Sequence, residues 1–157
     1  MKIIDLKHMS TEDKVDFFHT HWGGTKMVIS SGVYECPELA GYAALENEKI
    51  IGLITYVEKG RECEIVSLDS LIENKGIGTS LIQAVESEAE RLGCQSLRVI
   101  TTNNNIRALA FYQKRGFRMI EILHDAVQRA RELKPEIPTV GNHGIPIVDE
   151  LLLEKEI

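Results

Sequence analysis

The chain has 157 residues, of which 43% are hydrophobic and 27% charged, and a formal net charge of −6. This is the size and composition of one globular domain spanning 1–157, and no apolar run approaches the roughly 20 residues that a bilayer span needs. The acidic balance argues against general nucleic-acid binding, which needs a basic footprint, and Met1-Lys2-Ile3-Ile4-Asp5 lacks the apolar stretch of a secretory signal, so a cytoplasmic location is expected.

In chain order, Lys2 to Leu6 reads as a strand. Ser10 then caps a helix with Glu12 and Asp13 in its first turn, and His21-Trp22-Gly23-Gly24 ends it. Two apolar-rich runs, Leu39 to Glu46 and Lys49 to Val57, flank Glu46-Asn47-Glu48 as a hairpin. A third run, Glu62 to Ile72, follows the turn Glu58-Lys59-Gly60-Arg61. These three strands are expected to form an antiparallel meander. The period then changes: Leu81, Val85, Ala89 and Leu92 recur at helical spacing, and Gly93 supplies a stop.

Ser96 to Thr101 reads as a strand, Asn105 to Arg115 as a helix closed by Gly116, and Phe117 to Leu123 as a strand. Asp125 opens a short helix that Pro135 ends. Pro135 to Pro146 carries three prolines and two glycines and is expected to be a loop. Ile147 to Glu154 is the last expected strand. The order is that of a mixed α/β (α+β) chain with a central sheet and helices on both faces.

The stretch Lys75-Gly76-Ile77-Gly78-Thr79 lies where a strand passes into a helix. A helix N-terminus presents unpaired N–H groups and a partial positive charge, so it attracts anions. Close approach of a phosphate requires that side chains be absent. Gly76 and Gly78 meet that need. The amides of Ile77, Gly78, Thr79 and Ser80 could converge on a phosphate, with the Thr79 and Ser80 hydroxyls as extra donors and Lys75 adding charge. A plain strand-to-helix turn is the competing reading. The segment is neither a Walker A loop nor a dinucleotide fingerprint.

Downstream, Asn105, Ala108, Tyr112, Gly116 and Phe117 form the pattern Asn-x-x-Ala-x-x-x-Tyr-x-x-x-Gly-Phe. With the frame Glu73-Asn74-Lys75-Gly76-Ile77-Gly78, the chain resembles the GCN5-related N-acetyltransferase (GNAT) superfamily, over most of its length. The family's coenzyme A loop is commonly Gln/Arg-x-x-Gly-x-Gly/Ala, so Glu73 and Asn74 depart from it. Glu73 is expected to face solvent, with Lys75 offsetting its charge.

The resemblance implies a GNAT-like, mostly antiparallel mixed sheet and transfer of an acetyl group from acetyl-CoA, a co-substrate, to a primary amine of a small molecule or peptide. It implies direct transfer in a ternary complex. It places the thioester beside the backbone of Leu68 and Ser70, gives Tyr112 the role of general acid, and puts Asn105 at the coenzyme or at the helix cap. Glu62 and Glu64, two apart on one strand face, fall where several family members place a base. Asp69, expected on the opposite face, is a reserve.

Trp22, Phe17 and Phe18 could wall the acceptor site, although core packing suits the phenylalanines. His21, His124 and His143 are candidate substrate contacts, with ordinary surface histidines as the competing reading. Cys36, Cys63 and Cys94 lack metal-ligand spacing and are expected to be reduced; no metal site is expected. Family members often dimerise, so a homodimer is compatible, and no nucleic-acid or membrane partner is expected. A non-catalytic acyl-CoA-binding or regulatory module on the same fold is the alternative reading.

Overall fold

The computed structural model describes all residues, 1–157. The elements follow in the order β1 (Lys2–Asp5), α1 (Thr11–Trp22), β2 (Lys26–Ile29), β3 (Gly32–Glu35), β4 (Ala40–Glu46), β5 (Lys49–Lys59), β6 (Glu62–Ser70), α2 (Ile77–Arg91), β7 (Ser96–Thr102), α3 (Ile106–Lys114), β8 (Arg118–Leu123), α4 (Ala126–Leu133) and β9 (Glu150–Glu156). Apart from the β2–β3 pair, the strands form a seven-stranded, mostly antiparallel sheet. The chain divides into two compact units, one of Met1–Met27, Tyr34–Leu97 and Ile157, the other of Val28–Val33 and Arg98–Glu156. No helix is long and apolar enough to cross a membrane.

In the first unit the strand order is β1-β4-β5-β6, all antiparallel. The expected meander is present. Its β4–β5 turn is Asn47-Glu48, closed by the pair Glu46↔Lys49, and both residues have positive φ (51° and 66°), as a tight primed hairpin turn requires. Helix α1 starts as its composition dictates: the Ser10 hydroxyl accepts the Asp13 N–H at 3.1 Å, and Gly23 at φ 75° ends it.

Phe17 and Phe18 of α1 are buried with Leu6, Cys36, Ala43, Leu53 and Val66 in one apolar cluster. Helix α2 covers the other face of these strands, where Gly52 meets Ile77 and Leu81. The first unit therefore carries a helix on each face, as expected.

In the second unit β9 lies between β7 and β8 and pairs antiparallel with β8. The 134–149 segment is tied down by side chains. The Arg131 guanidinium donates to the carbonyls of Ile137 (3.2 Å), Pro138 (2.5 Å) and Ile147 (2.6 Å). Asn103 donates to the Pro146 carbonyl and accepts the N–H groups of Val148 and Asp149, both at 3.0 Å.

Two expectations need correction. The stretch between α1 and β4, left without strands by the sequence reading, holds the β2–β3 hairpin, whose Ser30 N–H is accepted at 3.0 Å by Glu150, a carboxylate only 1% exposed. The last strand begins at Glu150 instead of Ile147. The backbone groups of residues 147–149 are engaged elsewhere: Ile147 donates to Thr139, Val148 accepts from Val127, and Asp149 accepts from Asn103.

Candidate active site

Strand β6 ends at Ser70, whose hydroxyl donates to the Ile72 carbonyl at 3.1 Å, while the Leu71 N–H reaches back to Ile51 at 2.8 Å. The chain then runs exposed from Leu71 to Gly76. Two positive φ values, 60° at Asn74 and 71° at Gly76, turn it into α2. Gly76 is the cap residue, so no side chain covers the first-turn N–H groups. A Cβ built on Gly76 would meet nothing within 4 Å. Ile77, 1% exposed, and the buried Gly78 fix the start of the helix against the sheet.

Lys75 and Glu73 are both exposed, the latter as expected. A bare left-handed cap opening a 15-residue helix, with an exposed lysine beside it, suits the diphosphate of a coenzyme A. The residues present fit that group.

The α1 side of β6 is less regular than its sequence suggests. Pairing with β5 runs Lys59↔Glu62, Val57↔Glu64 and Tyr56↔Ile65, then skips to Thr55↔Ser67 and Leu53↔Asp69. Val66 is the extra residue, a β-bulge. Strict alternation puts Asp69 opposite Glu62 and Glu64, as the sequence reading expects. The bulge reverses the phase, so Asp69 shares their face. The Thr55 and Ser67 hydroxyls meet there at 2.5 Å.

The three acids differ in their surroundings. Glu62 is half-buried at the start of the strand. Glu64 is 5% exposed and lies 3.5 Å from the Lys59 ammonium, which donates in turn to the Tyr34 hydroxyl at 2.7 Å. Asp69 accepts the Trp22 indole N–H at 3.0 Å through Oδ1, and its Oδ2 is buried without a hydrogen-bond partner. Burial pushes the Asp69 carboxyl above its ordinary pKa, and the Trp22 bond and the His21 charge oppose that only in part. The Trp22–Asp69 bond spans 47 positions and leaves no local signal in the sequence.

Phe17 and Phe18 belong to the core, and Trp22 is the aromatic of α1 that reaches a polar partner. His21, His124 and His143 are all exposed.

Leu68 and Ser70 lie in β6, so in the first unit the structure gathers Leu68, Ser70, the 75–80 loop and the three acids on one strand and its continuation. Asn105 and Tyr112 lie in the second unit. The Asn105 Oδ1 accepts the Ala108 N–H at 3.2 Å, which caps α3. Gly116 turns the chain at φ 95°, and Phe117 returns so that its ring meets Tyr112, centroids 5.4 Å apart. Tyr112 is 6% exposed and also meets Phe111 at 5.4 Å. The spacing of Tyr112, Gly116 and Phe117 thus has a packing reason.

A model of the acetyltransferase (GNAT) family matches residues 6–117. The uncharacterized protein YdhI of Bacillus subtilis (strain 168) is 55% identical over 152 residues, covering 96% of this chain and 92% of its own. Among solved structures, a GNAT family acetyltransferase from Elizabethkingia anophelis with acetyl-CoA bound is 26% identical, with a TM-score of 0.67 over 76% of each chain. The IAA acetyltransferase from Bacillus cereus ATCC 14579, 21% identical, shares the fold with a TM-score of 0.72 over 99% of this chain and 100% of its own.

Proposed function

Since the chain belongs to the GNAT acetyltransferase family, we propose that it moves an acetyl group from acetyl-CoA directly to a primary amine of a small molecule or peptide, both bound at once. The observation that carries this reading is the bare, left-handed Gly76 cap of α2, open to an anion and flanked by Lys75.

When bound, acetyl-CoA supplies the acetyl group as an activated thioester. The amides of Ile77, Gly78 and Thr79 hold its diphosphate, helped by Lys75 and the Ser80 hydroxyl, and the backbone of Leu68 and Ser70 lines its pantetheine. The Ser80 N–H, expected among the phosphate donors, is instead donated to the Gly76 carbonyl at 3.0 Å, because the first intrahelical bond of α2 closes there. Asn105 caps α3 and holds the second motif in place. The α1 face of β6, with Glu62 and Glu64, is the basic side of the reaction. Its charge draws a protonated amine, and its carboxylates take up the proton, directly or through water. Tyr112 returns a proton to the leaving sulfur.

Most of the rate comes from holding amine and thioester together, worth roughly 7–11 kcal/mol at best, against a general-base factor of about 10²–10⁴. The net charge of −6 suits a cationic acceptor. We propose a cytoplasmic enzyme without a nucleic-acid or membrane partner, compatible with a homodimer.

The test is calorimetry with CoA and acetyl-CoA, followed by thiol release from acetyl-CoA across a panel of primary amines. Binding with amine-dependent thiol release is expected. Binding without release by any amine would favour the non-catalytic module, and no binding would end the reading.

A further inference from the structure

Asp69 carries more than a reserve role, on the premise of the acetyl-transfer reading above. Three separate features converge on it. The Val66 bulge turns it from the α2 face to the α1 face. The Trp22 indole N–H fixes its Oδ1 at 3.0 Å. Its Oδ2 is buried with no hydrogen-bond partner. An ionised carboxylate accepts several hydrogen bonds, and a buried acceptor left unpaired costs about 1–3 kcal/mol, more when charged. A group kept at that cost calls for a use. Glu64, the other well-buried acid of this face, already has the Lys59 ammonium at 3.5 Å.

We propose that Asp69 Oδ2 receives an N–H of the acceptor's alkylammonium group and takes its proton, while Trp22 holds Oδ1. The step is R–NH₃⁺ plus a carboxylate giving R–NH₂ plus a carboxylic acid. Only an N–H bond breaks, its electron pair stays on nitrogen as the lone pair that attack requires, and the proton passes from Asp69 to solvent. Asp69 is only partly covered as a residue, and small swings of a carboxylate about its terminal torsion are cheap.

The charged group beside Asp69 is His21 of α1; Glu64 and Glu62 lie five and seven positions back along the strand, with Lys59 of β5 beside Glu64. The carboxyl's elevated pKa makes proton uptake from an ammonium less uphill. The acceptor class is an unshielded primary alkylamine. A quaternary ammonium, which has no N–H, is excluded.

Trp22 is the chain's one tryptophan, so its indole ¹H–¹⁵N cross-peak reports on this carboxylate. In full-length protein, with and without CoA, n-butylammonium chloride is expected to shift that peak saturably, and tetramethylammonium chloride at equal concentration is not. Asp69→Asn should lose the butylammonium response while its melting temperature still rises with CoA. Equal effects of the two salts on the wild type, or an unchanged response in Asp69→Asn, overturn the proposal.

The two-salt comparison needs no variant, so a poorly folding Asp69→Asn leaves the test intact. A selective butylammonium response without any stabilisation by CoA would instead sink the acetyl-transfer reading and leave this site standing. With an amine from the panel that is turned over, Asp69→Asn is expected to lower kcat/KM by about 10²–10⁴ and to lose the acidic limb of the pH profile. Retention of that limb in Asp69→Asn also counts against the assignment.

Discussion

Gly52 of β5 lies directly under Ile77, the first residue of α2: a Cβ on Gly52 would stand 2.5 Å from the Ile77 Cγ2 and 3.2 Å from the Leu81 Cδ1. The missing side chain in a central strand is what lets helix α2 sit down on the sheet. Gly52→Ala is expected to destabilise the fold by about 1–3 kcal/mol, the usual range for overpacking. Because the strain falls on the first turn of α2, CoA affinity should fall with it. Denaturant titration and calorimetry on the same variant check both halves.

Gly76→Ala acts at the loop itself. At φ 71° a Cβ costs about 1–2 kcal/mol, and it would occupy space open to an anion. Affinity for CoA should drop roughly tenfold or more, each decade being about 1.4 kcal/mol. Lys75→Ala should weaken binding less, with a shallower salt dependence than the wild type. Unchanged CoA binding in Gly76→Ala would remove the loop from the site.

Tyr112→Phe keeps the ring contacts with Phe111 and Phe117 and removes only the hydroxyl. A fall in kcat is expected, with CoA affinity nearly unchanged. Pre-steady-state and equilibrium measurements separate the two. An unaltered kcat would refute the acid role.

The Asp69 carboxyl, raised by burial in the folded state, makes a signed prediction about stability. A carboxyl whose folded pKa exceeds its unfolded value of about 4 binds its proton more tightly when folded, so its contribution to stability is full below that pH and is lost as pH rises through the folded value. The melting temperature of Asp69→Asn minus that of the wild type should therefore increase from acid to neutral pH. For a chain of this size each kcal/mol is about 2–4 °C. A difference independent of pH would show that the carboxylate is not destabilised by its site.

The cysteines Cys36, Cys63 and Cys94 are all buried and in no disulfide. Burial, reinforced by the neighbouring Cys94 and by Glu58, Glu64 and Glu88, pushes the Cys63 thiol up to about 12. The reactive thiolate is scarce there. Native protein should react slowly with an aromatic disulfide reagent, and all three thiols should titrate after denaturation. Rapid labelling of Cys63 in the native state would contradict its burial.

Legibility in the sequence was uneven, for identifiable reasons. Both ends of helix α1 were readable because they are local chemistry: a Ser10 hydroxyl on a backbone N–H three positions on, and a glycine free to take positive φ. The β4–β5 hairpin followed from two apolar-rich runs about a short polar turn, and α2 from its helical period. The β2–β3 hairpin escaped because its strands have four residues each, too few for a period to show, and its turn is held by Glu150, 120 positions away. The start of β9 was misplaced because residues 147–149, though apolar enough for a strand, pair with Thr139, Val127 and Asn103 instead.

By itself, then, the amino-acid order determined the helices and the longer strands, where a helix starts bare of a capping side chain, and which family the motifs belong to, because caps, turns and periodicity act over a few neighbouring residues. Tertiary structure alone decided which acids share a face. One extra residue at Val66 shifts the phase of β6, and an indole from α1 then clasps one oxygen of Asp69 and leaves the other unpaired. Neither effect has a signature at the sequence level, since a bulge depends on the partner strand's register and a contact across 47 positions depends on the whole unit having folded.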